Sequence, residues 1–134
     1  MAYSFRGLLV VGPSPKPKGL PEGALWRSIS LPVRGFVVSL PDTLGQGMEI
    51  ELIRALGAEV AGENDWIFLN YQTWAGKIDS IFGLGTIGGG IFGPIEDSED
   101  DTVEITYKEL MERIGIMPEY SGNFAPFHRD YFGV

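Results

Sequence analysis

Residues Asp65 to Ile95 read DWIFLNYQTWAGKIDSIFGLGTIGGGIFGPI, and this stretch decides the fold. Its first part, Trp66 to Tyr71, is aromatic and β-branched, with apolar residues on both alternating sets of positions. That pattern is typical of a central strand covered on both faces of a sheet. Two further apolar runs, 77–82 and 87–95, follow after turn-forming residues. We therefore expect a β-meander that builds the middle of the sheet.

The remaining segments favour a single domain, which is the usual organisation for 134 residues. Apolar runs at 3–11, 25–31 and 34–40 each end at glycine or proline and predict further strands, the second of them at an edge. The segment 13–21 holds four prolines and two lysines and is expected to be an exposed, stiff loop. The segment 116–134 holds five aromatic residues and is expected to be an irregular tail that wraps onto the body.

Two helices are predicted to flank the sheet. The first lies near 43–57, with Gly57 as its stop signal. The second lies near 106–115, where Thr106 and Glu109 have the spacing of a capping box. Because strands and helices do not alternate regularly, we expect an α+β fold with a mainly antiparallel sheet. Four apolar residues at helical spacing are expected to form the buried stripe of the first helix: Met48, Leu52, Ala55 and Leu56.

Charge is distributed unevenly along the chain, whose formal net charge is −8. Residues 1–40 contain five bases and one acid, whereas residues 41–134 contain five bases and seventeen acids. An acidic protein repels phosphates, so direct binding of nucleic acid is not expected. A basic protein partner is instead attracted and steered in. The alternative interpretation is that the acidity serves only solubility.

Composition also excludes several classes of site. The chain has no cysteine, which rules out disulfides and cysteine-ligated zinc. No apolar run approaches the ~20 residues of a membrane span, and the longest near the start, Leu8 to Val11, is too short for the core of a signal peptide. We therefore expect a cytoplasmic protein without a membrane partner.

The glycine-rich segment Gly83 to Gly88 matches the dinucleotide-binding pattern G-x-G-x-x-G. That chemistry needs a helix directly afterwards, because the helix N-terminus holds the pyrophosphate. The next residues, Gly89 to Pro94, include three glycines and a proline and cannot start a good helix. We therefore interpret the segment as a hairpin or bulge where backbones approach closely, and no cofactor is predicted. A ligand cradle made of the stretch 83–93 remains the alternative.

His128 is the only histidine of the chain and belongs to the triplet His128-Arg129-Asp130. The triplet matches part of the kinase catalytic loop, but the rest of that signature is absent. A lone histidine cannot build a histidine-rich metal site, although with Asp130 it could act as a general base. A structural histidine is the simpler interpretation, so no catalytic residue and no metal site are predicted.

The acidic run Glu96-Asp97-Ser98-Glu99-Asp100-Asp101 lacks the central glycine and terminal glutamate of a calcium-binding loop. It is either a solvated loop or a contact surface for a basic protein, such as a nuclease, in which the carboxylates imitate phosphates. Trp74, at an expected turn, is a candidate interface anchor unless it folds back over the sheet edge. The predicted partner-binding residues are therefore Glu96, Asp97, Glu99, Asp100, Asp101 and Trp74.

Together these observations favour a protein-binding inhibitor over an enzyme, because the chain lacks the clustered histidines, cysteines or phosphate motifs that most enzymes carry. The most concrete version is a bacterial immunity protein that neutralises a cognate toxin by covering its active site. The alternative is a small enzyme or small-molecule-binding domain that uses the glycine-rich turns as a ligand cradle, with His128, Asp130 or Tyr131 nearby.

Overall fold

The computed structural model describes residues 2–13, 16–41, 49–74 and 77–121. Six strands and three helices lie in these ranges. In chain order they are β1 (Ala2–Val11), β2 (Leu25–Ile29), β3 (Gly35–Ser39), α1 (Ile50–Ala61), β4 (Asp65–Trp74), β5 (Lys77–Ile87), β6 (Gly90–Asp97), α2 (Val103–Arg113) and the short α3 (Pro118–Ser121). The proline-rich segment between β1 and β2 contains no strand or helix among its described residues.

The six strands form one antiparallel sheet in the order β2-β3-β1-β4-β5-β6. The predicted α+β class with a mainly antiparallel sheet is therefore confirmed. The consecutive neighbours β4, β5 and β6 are the expected meander, and β2 lies at an edge as predicted. β1 is inserted between β3 and β4, so the amino-terminal strand lies near the centre of the sheet.

β4 is buried on both faces because its alternate side chains enter two separate cores. Trp66 and Phe68 point to the face covered by α1, whereas Ile67, Leu69 and Tyr71 point to the face covered by α2. All five are buried. The apolar residues on both alternating sets of positions therefore correspond to a helix on each side of the sheet.

α1 is longer at its carboxyl end than the sequence pattern indicates. Gly57, predicted as the stop, lies buried in the middle of the helix, where an added Cβ would overlap the ring of Trp66. The helix ends instead at Gly62, whose φ of 63° favours glycine. Gly57 is therefore needed for close approach of α1 to β4, and the predicted boundary is wrong. The predicted start at 43–48 lies outside the described residues.

The predicted buried stripe of α1 is also wrong within its described part. Leu52 is 58% exposed, Ala55 is exposed and Leu56 is only partly buried. The helix buries a different set of residues: Ile53, Gly57, Val60 and Ala61. The buried face differs from the predicted one because the helix continues past Gly57. Gly57 and Ala61 are small, so the helix backbone can lie close to the sheet.

α2 begins at Val103, earlier than the predicted start at 106. Thr106 therefore lies inside the first turn, and the predicted capping box with Glu109 is wrong. The predicted stop at Gly115 is confirmed, because this residue has a φ of 93°. Its N–H donates to the carbonyl of Glu112 at 3.0 Å, and the N–H of Ile116 donates to the carbonyl of Met111 at 3.0 Å. These two bonds form a Schellman motif.

The Schellman motif continues into the core, because Ile116 is fully buried in the same cluster as Met111. The short helix α3 then follows, so 116–121 is more ordered than the predicted irregular tail. The aromatic residues Phe124, Phe127, Tyr131 and Phe132, which were expected to wrap onto the body, lie outside the described residues.

The glycines of the G-x-G-x-x-G pattern serve packing within the meander. Gly83 and Gly85 are buried inside β5, and the turn to β6 falls at Gly88 and Gly89. An added Cβ at Gly83 would stand 3.0 Å from Cδ1 of Leu110, so this glycine lets α2 lie directly on β5. The register of β5 with β6 also shifts between Gly83 and Gly85, as the bulge interpretation predicts.

Candidate protein-binding surface

The acidic run lies at one end of the sheet, where β6 ends and α2 begins. Glu96 and Asp97 are the last residues of β6, and 98–102 form the connection to α2. The side chains of Glu96, Glu99, Asp100 and Asp101 are exposed, as is Glu104 in the first turn of α2. Like charges that cannot be buried together account for this placement in solvent.

Asp97 differs from its acidic neighbours because its carboxylate is engaged within the protein. One oxygen accepts hydrogen bonds from Oγ1 of Thr106 at 2.6 Å and Oγ1 of Thr102 at 2.8 Å. The other accepts the backbone N–H of Glu99 at 2.9 Å. The bond from Thr106, with help from Glu99 and Thr102, lowers the pKa of Asp97. Asp97 therefore ties the end of β6 to the start of α2, where Thr102 makes no side-chain capping bond.

Replacing Asp97 with asparagine is expected to lower the thermal stability of the protein at neutral pH. The amide accepts at one oxygen only, and the charge that strengthens the three hydrogen bonds is lost. Because the folded pKa of Asp97 is depressed, its stabilisation is complete above the unfolded pKa of about 3.9 and is lost as the pH falls through the folded pKa. Thermal denaturation of both proteins from pH 7 down to pH 2 measures this.

The matched control for Asp97→Asn is Glu96→Gln. It removes an adjacent exposed carboxylate, for which no side-chain hydrogen bond occurs within the described ranges. The midpoint of Glu96→Gln is expected to follow the parent at every pH. The difference between parent and Asp97→Asn is expected to shrink at the acid end. A difference that stayed constant from pH 7 to pH 2 would contradict a stabilising role for the ionised carboxylate.

Trp74 meets two of the predicted acids in an open groove of about 440 Å³ beside the start of α2. Its side chain is 61% exposed, and that of Ile105 in the same groove is 56% exposed. The sequence left open whether Trp74 is exposed or folded back over the sheet edge, and in the structure it is the largely exposed last residue of β4. The lining residues are Trp74, Lys77, Ile78, Asp79, Asp100, Asp101, Val103, Glu104 and Ile105. The tryptophan-lined groove thus combines exposed apolar surface with four carboxylates and one lysine.

Glu96 and Glu99 lie instead along a second open groove of about 460 Å³. This groove is mainly on the same face of the sheet as α1, beyond the part that the helix covers. Its floor is more polar than that of the first. The lining residues are Asn70, Gln72, Ser80, Ile81, Phe82, Glu96, Asp97, Ser98 and Glu99. The structure therefore divides the predicted acids between two surfaces at the same end of the sheet, and only Asp100 and Asp101 are close to Trp74.

Several residues of these grooves were not expected from the sequence. Asp79 and Ile105 border the tryptophan-lined groove, and Asn70, Gln72 and Ser80 form the polar floor. The sequence does contain one indication of the polar floor, the change from apolar Phe68 to polar Asn70 and Gln72 at alternate positions of β4. It shows where one face of β4 stops being buried core.

The two buried glycines of the G-x-G-x-x-G pattern line neither of these grooves. Gly83 and Gly85 are enclosed by neighbouring strands and by Leu110. No three Asp, Glu or His side chains among the described residues are arranged to hold a metal ion. His128 and Asp130 lie outside the described residues. Within the described ranges, no helix has the length and apolar character that crossing a bilayer requires.

No family model, curated protein or solved structure matches this chain. The chemistry of its surface is therefore the basis for a function. Within residues 77–113, nine acids outnumber three bases. These acids are concentrated at the end of β6, in the connection 98–102 and on α2, whereas β2 at the opposite edge of the sheet carries Arg27 and no acid.

Proposed function

We propose that the protein is a protein-binding inhibitor that docks a basic partner through the tryptophan-lined groove and the acidic run beside it. The observation that carries the proposal is the position of Trp74. A large aromatic side chain stands 61% exposed, beside exposed Ile105 and within a groove lined by Asp79, Asp100, Asp101 and Glu104. A partner that covered these two neighbouring apolar side chains would remove their surface from water, which favours association.

The two kinds of side chain have separate tasks in such an interface. An aromatic anchor contributes binding energy when its partner removes it from water, and it mainly slows dissociation. Exposed carboxylates at the rim mainly accelerate association, because they attract a positively charged partner before contact. The combination suits an inhibitor, which must capture its target quickly and hold it.

A toxin that acts on nucleic acid is the partner class that this chemistry favours. The active site of such an enzyme is basic because it binds phosphate, and a row of carboxylates resembles that substrate in charge. Covering the active site would neutralise the toxin, as a bacterial immunity protein does. The enzyme alternative has less support, because the buried glycines Gly83 and Gly85 serve strand and helix packing.

The proposal is tested by purifying the protein with its bound partner from the native host and measuring the partner's own activity. Addition of the parent protein at equal concentration is expected to abolish that activity. A variant with Glu96, Glu99, Asp100 and Asp101 changed to Gln or Asn is expected to associate about ten-fold more slowly at low salt, and the difference is expected to shrink at high salt. Asp97 is left unchanged because it holds α2.

The matched control neutralises four exposed acids on and around α1, which border neither groove: Glu49, Glu51, Glu59 and Glu63. It removes the same net charge, so a general electrostatic effect would slow both variants equally. A captured partner whose activity the protein leaves unchanged would refute inhibition. Equal association rates for the parent and the first variant at low salt would refute steering by the acidic run.

A further inference from the structure

The second groove has a distinct chemical character that comes from the strand register. Arg6 of β1 pairs with Asn70, Asn70 with Phe82, and Phe82 with Glu96, so these four side chains form one row across β1, β4, β5 and β6. Gln72 pairs with Ser80 in the next row. Both rows continue the face on which Phe68 lies, because residues two apart in a strand share a face.

The rows present hydrogen-bonding groups around an aromatic ring. Four polar side chains of these rows make no hydrogen bond to another described residue: Asn70, Gln72, Ser80 and Glu96. Phe82 is partly buried in the floor and packs edge-on against Phe68, with ring centroids 6.1 Å apart. Among the described residues that line the groove, three are acids and none is a base.

We propose that the second groove binds a guanidinium group, presented as an arginine side chain of the basic partner. The source of the arginine rests on the proposed function, whereas the chemistry rests on the groove itself. A guanidinium has five N–H donors and no acceptor, which matches carboxylate, amide and hydroxyl oxygens arranged in two rows. Its flat face stacks on an aromatic ring, and Phe82 lies between Asn70 and Glu96.

An ammonium group fits this arrangement less well. It is a compact, strongly hydrated charge with three donors, and it cannot bridge two neighbouring side chains while lying flat on a ring. Glu96 and Glu99 supply the negative charge at one end of the groove, and the amides of Asn70 and Gln72 supply neutral acceptors at the other. The chemistry of the lining therefore favours arginine over lysine, and both over a neutral urea of the same shape.

The test uses the isolated protein and three capped amino acids: the N-acetyl, N-methylamide forms of arginine, lysine and citrulline. Citrulline has the shape of arginine without its charge. The side-chain amide NMR signals of Asn70 and Gln72 are followed during titration. Arginine is expected to give saturable shifts, lysine to bind about ten-fold more weakly, and citrulline to give no saturable shift.

Glu96→Gln is expected to weaken arginine binding about ten-fold, because a charge-assisted hydrogen bond is lost. Glu104→Gln, which removes one charge from the tryptophan-lined groove, is the matched control and is expected to leave it unchanged. Both residues are exposed, so both variants are expected to fold. Equal shifts with arginine and citrulline, or equal losses in the two variants, would overturn the assignment.

The outcome is separable from that of the proposed function. Arginine binding in the groove without any inhibited protein partner would support the groove chemistry and overturn the partner as its source. If a partner is inhibited but capped arginine causes no saturable shift at Asn70 and Gln72, the groove assignment is overturned and the proposed function stays supported. Weaker inhibition of the partner together with about ten-fold weaker arginine binding in Glu96→Gln supports both proposals.

Discussion

Replacing Phe68 with alanine is expected to lower the free energy of unfolding by about 3–5 kcal/mol, which is the range for a buried phenylalanine. Phe68 is only 1% exposed and lies on the central strand, paired with Leu8 of β1 and Leu84 of β5. Removing its ring leaves a cavity beneath α1 that well-packed neighbours cannot fill. Chemical denaturation at 25 °C, analysed at constant slope, measures the loss.

The control for Phe68→Ala is Ile91→Ala, because Ile91 is 70% exposed next to the turn between β5 and β6. That substitution is expected to change the free energy of unfolding by less than about 0.5 kcal/mol. If Phe68→Ala is too unstable to purify, Phe68→Leu is expected to give a smaller, measurable loss of the same sign. A midpoint that hardly moved in either Phe68 variant would refute the central position of β4.

Replacing Trp74 with alanine is expected to raise the dissociation constant for the basic partner about 30-fold or more, which corresponds to the 2 kcal/mol of an interface hot spot. The increase is expected mainly in the dissociation rate, because an anchor acts after contact. The stability of the free protein is expected to stay within about 0.5 kcal/mol of the parent, since Trp74 is 61% exposed. Surface-based kinetics and denaturation of the free protein measure the two quantities.

Trp26 provides the comparison for Trp74. It is also partly exposed, but it lies on β2 at the opposite edge of the sheet and contacts Phe36 edge-on, with ring centroids 6.2 Å apart. Trp26→Ala is expected to reduce stability and to leave the partner's dissociation rate unchanged. If Trp74→Ala dissociates as slowly as the parent, the anchor lies elsewhere. If both variants lose affinity equally, the effect reflects the fold and not the tryptophan-lined groove.

The two substitutions test different levels of the same molecule. Phe68 and Trp74 belong to one strand, and the five residues between them take β4 from the core to the edge of the tryptophan-lined groove. Burial changes along that strand because the cover on its faces changes, from apolar neighbours at Phe68 to solvent at Trp74. A stable central segment can therefore hold the exposed end in place for a partner.

The fold class was predictable from local patterns in the sequence. Trp66 to Tyr71 is apolar at both sets of alternate positions, and a helix on each face of the sheet is the reason. Gly115 ended α2 where predicted, because a positive φ is a local requirement of the chain. Gly57 misled the prediction for the opposite reason. A glycine is needed at position 57 because a Cβ there would overlap the ring of Trp66, nine residues away in sequence, and not because the backbone ends a helix there.

The sequence by itself determined the antiparallel meander and the concentration of carboxylates after β6. Those properties follow from hydrophobic periodicity, chain punctuation and the cost of burying like charges, all of which act over a few residues. Only the tertiary structure decided that the carboxylate of Asp97 accepts hydrogen bonds from Thr102 and Thr106. It also brought Asp100 and Asp101 into one groove with Trp74. Strand register placed Glu96 and Asn70 on either side of Phe82. Strand register and the placement of α2 are long-range choices, set by which apolar faces meet across the sheet.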